Sequence, residues 1–165
     1  MDNSNKELRS APVHYQKLVN RIVKLSGMKH TLYVFETETD KRFLTHHEDG
    51  VPIVAYDPTF ISDHRSAVKW AEVALFASEV IYHHNVDLHG KYICNFYNIR
   101  TVAKTKRKRI NEDFFVGKVL RHEGATMEEA LDVLSYFGKF QSEEIRTERE
   151  ELVISGWKAA DEQLN

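Results

Sequence analysis

Glu79, His83 and Asp87 recur at i, i+4 spacing, so on a continuing helix they share one face. A carboxylate, an imidazole and a second carboxylate at that spacing form a ligand set suited to a transition metal, with His84 and His89 close by. The same residues also read as a hydrogen-bonded Glu79–His83 pair with histidines near a helix C-terminus, where an imidazolium meets the negative end of the dipole. Ser78 beside Glu79 is not a nucleophile and its base, because adjacent helical residues point about 100° apart. Tyr82 stands at i+4 from Ser78 and is expected to hydrogen-bond to it. The run Lys104-Thr105-Lys106-Arg107-Lys108-Arg109 has the charge to contact phosphates or an acidic partner, and it also reads as a solvated loop between two helices. His46-His47 sits in a polar stretch, and Cys94 lies among Tyr92, Ile93 and Phe96 as a small core residue would.

The elements around these residues predict an α+β fold, mostly helical, with a small sheet drawn from residues 31–56. A helix apolar almost all round is expected at about 66–84, carrying Ser78 to His83 through the middle of the domain. A further helix is expected after Asp87. Flanking helices are predicted at 12–26, 109–123, 127–137 and 147–162. Pro12 opens the first and Ser26-Gly27 stops it. Thr31–Glu36 and Val51–Tyr56 are β-rich, and Pro52 suits a strand start or an edge. Residues 37–50 are polar and suit an irregular hairpin. Asp57-Pro58 has the cap-then-proline signature of a helix start. Thr126-Met127-Glu128-Glu129 is a capping box, in which hydroxyl and carboxylate satisfy two backbone donors reciprocally. Residues 1–11 read as a flexible tail, and 12–165 as one domain.

The order of these pieces resembles small bacterial zinc metallopeptidases of the gluzincin type, relatives of the heat-shock and prenyl-protein-processing peptidases. Ala55-Tyr56-Asp57-Pro58-Thr59-Phe60 matches their strand ending in Tyr-Asn-Pro-x-Phe. Trp70-Ala71 through Ser78-Glu79-Val80-Ile81-Tyr82-His83 matches their buried Trp-Ala…His-Glu-x-x-His-His helix. Asn111-Glu112-Asp113-Phe114-Phe115-Val116-Gly117, Gly124-Ala125-Thr126-Met127-Glu128-Glu129-Ala130, Arg149 and Gly156-Trp157 match the later motifs. The resemblance spans roughly residues 12–160 and implies a zincin-like fold.

It also implies where zinc chemistry has been lost. Two histidines at i and i+4 aim both imidazoles at one zinc ion, and the intervening glutamate acts as base on the metal-bound water. Here the two ligand positions hold Ser78 and Tyr82, and the third holds Asn111. A hydroxyl and a phenol of pKa near ~10 are poor zinc ligands beside imidazole at neutral pH. Glu79 at the base position and Asp113 persist, while the late His-Pro becomes Glu143-Glu144. The resemblance therefore implies a pseudoenzyme without zinc or other cofactor, its vestigial site being Ser78, Glu79, Tyr82, Asn111 and Asp113. A protein or peptide partner is the expected ligand. A hydrolase with its metal moved to Glu79, His83 and Asp87 is the rival reading.

Composition sets the remaining bounds. The chain has 165 residues, 42% hydrophobic and 29% charged, in the range of a folded domain that needs no staple. A net charge of −2 argues against a whole-surface nucleic-acid binder. The single cysteine excludes an internal disulfide and suits a reducing compartment. The polar start and the lack of a long apolar run suit a cytoplasmic protein without a membrane span.

Overall fold

A computed structural model describes residues 7–38, 43–48, 51–89, 110–139 and 141–165. Its element order is β1 (Arg9–Ser10), α1 (Val13–Ser26), β2 (Tyr33–Glu36), β3 (Phe43–Glu48), β4 (Val51–Tyr56), α2 (Pro58–Ala67), α3 (Ala71–His89), α4 (Glu112–Glu123), α5 (Met127–Phe137) and α6 (Glu143–Leu164). The fold is α+β and mostly helical. No helix among the described residues is long and apolar enough to cross a membrane.

The four strands lie in the order β1-β2-β4-β3. β2 and β4 run parallel, with Tyr33 opposite Ile53, while β1 and β3 pair antiparallel at the two edges. Residues 9 and 10, expected in a tail, are held by β2. β4 is an inner strand although it carries Pro52. The proline precedes the ladder with β2, which begins at Ile53, so it sits where β4 is paired on one side only.

Local signals account for most helix ends. Pro12 is the N-cap of α1, and Gly27 ends it in the left-handed conformation at φ 79°. Asp57 caps α2 through a 2.8 Å bond from Thr59 N–H, with Pro58 in the first helical turn. Thr126 and Glu129 form both 3.0 Å bonds of the capping box on α5. Four boundaries differ from expectation. α4 starts at Glu112 rather than at 109, because Asn111 caps it. α2 runs on through Ser66 and Ala67, and Val68 at φ −146°, ψ 135° breaks the chain before α3 starts at Ala71. α3 continues through Asp87 to His89, where a new helix was expected. α6 starts one turn early because Ser142 caps it, its hydroxyl accepting from Ile145 N–H.

The core lies where α3 meets the sheet and the other helices. Val19, Ile22, Leu32, Val54, Leu75, Phe76, Val80 and Ile81 are fully enclosed with Val119 and Leu120 of α4. Tyr15, Tyr56 and Phe76 form an aromatic triad with centroids 5.2–5.6 Å apart, joining α1, β4 and α3. α4 and α6 pack backbone to backbone: a Cβ at Gly117 collides with the Val153 carbonyl, and one at Gly156 with the Phe114 carbonyl. Trp157 closes this pair by donating its indole N–H to Ala125 O at 2.9 Å.

Candidate functional site

α3 is enclosed because residues 74–81 carry apolar side chains on nearly every face, and two polar residues enter the core with them. Ser78 is 0% exposed and Glu79 2%. One turn on, His83 is 3% exposed and Asn85 is fully buried, while Tyr82 is half-buried with its ring edge-on to His83 at 6.2 Å. Helical pitch puts Ser78 and Tyr82 on one face and Glu79 and His83 about 100° around.

The facing residues come from the first turn of α4. Asn111 is its N-cap: the exposed side chain accepts from Phe114 N–H at 3.0 Å. Asn111 therefore serves its own helix and is not the residue that meets Ser78. That residue is Glu112, 1% exposed, whose Oε1 accepts the Ser78 hydroxyl proton. The Ser78 hydroxyl proton thus goes to Glu112, a partner the spacing on α3 did not indicate. The signal for this was present, because Asn followed by Glu-Asp is a helix start that assigns Asn111 to the cap.

Asp113, next around the turn, faces α6. Arg149 donates from Nε to both of its carboxylate oxygens (3.1 and 3.0 Å) and from Nη2 to Oδ1 at 2.8 Å, and Nη1 reaches Gln141 Oε1 at 2.9 Å. Asp113 thus holds the α4–α6 junction. Asn85 completes the cluster by bonding both backbone groups of Ile110: Nδ2 donates to its carbonyl at 3.0 Å and Oδ1 accepts its N–H at 3.2 Å. Sequence reasoning passed over Glu112 and Asn85, both of which act across long stretches of chain.

A hydroxyl bonded to a carboxylate is the pairing an activated serine needs. At 0% and 1% exposure, however, Ser78 and Glu112 offer no approach to a substrate carbonyl. Neither Ser78 nor Tyr82 fits a zinc ion, for the reasons of ligand chemistry already given. Among the described residues no three His, Cys, Asp or Glu side chains form a group that could hold a metal ion. Glu79 and His83 share their face as expected. The side chains of His46, His47, Asp87 and His89 are outside what the structure describes, and Cys94 and Lys104 to Arg109 lie outside the described residues. Comparisons of the chain with family models, curated proteins and solved structures return no match.

Proposed function

We propose that this chain is a zincin-like pseudoenzyme: a degenerate relative of gluzincin-type metallopeptidases that binds a protein or peptide in the cytoplasm without hydrolysing it. The observation that carries the reading is the Ser78–Glu112 hydrogen bond. Ser78 occupies the position of the first zinc-binding histidine, and its hydroxyl is spent on a buried carboxylate of the helix that would supply the third ligand. Several matching motif residues outside this spot have packing duties. Asp113 pairs with Arg149, Gly117 and Gly156 let two helices touch, and Trp157 ties α6 to the α4–α5 turn.

Metal analysis and a casein assay test the reading together. The purified chain is expected to carry only traces of zinc, to retain unfolded casein and to leave it intact. The double variant Ser78→His/Tyr82→His is expected to take up near-stoichiometric zinc, and adding Glu112→Gln to abolish that uptake. Near-stoichiometric zinc in the unaltered protein together with cleaved casein, both lost on His83→Ala, would instead favour the rearranged hydrolase of Glu79, His83 and Asp87.

A further inference from the structure

Away from this cluster, a cavity of about 270 Å³ opens beside α1, lined by Ala11, Val13, Gln16, Tyr33 and Phe35 among others. Four large hydrophobic residues are exposed among the described residues, and two of them, Val13 (68%) and Tyr33 (48%), line this pocket. Exposed apolar residues scattered singly need no explanation, but two at the mouth of one cavity form a patch. The pocket does not invite an added strand. Gln16 already occupies the adjacent edge of β2, donating Nε2–H to Leu32 O at 2.9 Å and accepting Val34 N–H on Oε1 at 3.0 Å. What remains is an apolar socket for a side chain.

Charge defines the rim. From Leu8 to Phe35 the chain holds five Lys or Arg and no Asp or Glu. Arg9 adjoins the pocket on β1, and Lys17 lies one turn beyond Val13. Both are exposed, and neither is in an ion pair among the described residues. Glu36, opposite Arg9 in register, accepts the Tyr56 hydroxyl at 2.8 Å. The socket therefore fits an apolar residue flanked by acids.

The chain itself presents such a residue. Ile145 is 41% exposed in the first turns of α6, with Glu143, Glu144 and Glu148 exposed around it. The neighbouring Arg146 lays its stem over Gly138. We propose that the pocket beside α1 receives Ile145 of a second copy of this chain, with Arg9 and Lys17 facing the acids of α6. The two surfaces are unlike, so reciprocal insertion closes a pair and one-way insertion extends a row. One anchor and a charged rim make a small interface, and association is expected with a Kd on the order of 10–100 μM.

Sedimentation of the full chain over about 5–500 μM, at low and physiological salt, tests this. The mass is expected to rise with concentration and to rise less at higher salt. Ile145→Ser and Lys17→Glu, both exposed positions that leave the thermal unfolding midpoint in place, are each expected to weaken association about tenfold. An equimolar mixture of the two variants is expected to recover association, because each keeps the half the other lacks. A constant monomer mass at every concentration overturns the proposal, as does association that neither variant changes. A monomer that instead co-sediments with phosphatidylserine vesicles also overturns it and assigns the basic rim to a lipid surface.

Discussion

Replacing Arg149 with methionine removes all three hydrogen bonds that Asp113 receives from it, and leaves a carboxylate in the interior with its countercharge gone. Both side chains of the pair are less than one-tenth exposed, so solvent does little of the work of screening. Breaking a buried pair from one side costs about 3–5 kcal/mol, and Asp113→Leu alone should cost a similar amount by taking the carboxylate away from a buried guanidinium. Replacing both partners removes both charges, and apolar residues of similar volume restore much of the packing. Asp113→Leu/Arg149→Met is therefore expected to cost only about 0–2 kcal/mol. The singles sum to about 6–10 kcal/mol, so the cycle should show a coupling of several kcal/mol, far above the scatter of independent sites. Against a total stability of about 5–15 kcal/mol, either single change is large. Urea unfolding of the four proteins, followed by circular dichroism, measures each term. Singles that each cost under about 1 kcal/mol would mean the pair behaves as a surface contact. A double variant equal to the sum of the singles would mean that the two residues do not act together. Either result refutes the assignment of Asp113 to the scaffold.

Two further outcomes follow from the packing around α4 and from the α2–α5 contact. Gly117→Ala and Gly156→Ala each drive a methyl group into a facing backbone carbonyl that cannot rotate away; each should destabilise the protein by about 2–4 kcal/mol in the same urea assay, whereas Gly124→Asn at the left-handed cap (φ 105°) should cost less than about 1.5 kcal/mol. His64, whose Nδ1 lies 2.7 Å from the Tyr136 hydroxyl, has its pKa lowered first by burial and then by Lys139, with Asp63 opposing. The unfolded chain thus binds the proton more readily: this group's contribution is fully present above about pH 6.5 and declines as pH falls from there through the lower folded value. An NMR titration of His64 with its midpoint at or above 6.5 contradicts that sign.

What was legible in the sequence is what short-range chemistry decides. Asp57-Pro58, Thr126 with Glu129, Gly27 and Gly124 each mark a helix end through groups a few residues apart, and each acts as read. The α2–α3 break was hidden because no glycine or proline marks it: Val68 takes an extended conformation inside an apolar run that suits a buried helix equally well. The strand β3 was obscured for a different reason. Phe43–Glu48 is mostly polar, and it is a strand because β4 pairs with it along its whole length. The start of α6 was within reach, since Ser142 followed by two glutamates is a cap and an acidic first turn.

The candidate site follows the same division. Burial of Ser78 and Glu79 was readable from the apolar residues around them on α3. Their partner was not, because it depends on which way the first turn of α4 faces. Two contacts with α6 fix that turn. Asp113 is committed to Arg149, and Gly117 must face Val153 for α4 and α6 to approach. Successive residues of a helix radiate about 100° apart, so once Asp113 faces α6, Glu112 is turned toward the core on the side of the buried Phe115. Turning α4 to offer Asn111 to Ser78 would pull Asp113 away from Arg149 and drive the Gly117 backbone off its contact. The placement of Glu112 against Ser78 is thus imposed by scaffold residues that the resemblance also singled out. In this reading the framework around a former zinc site outlasts the site because its residues hold helices together, a duty that does not end when the metal is lost.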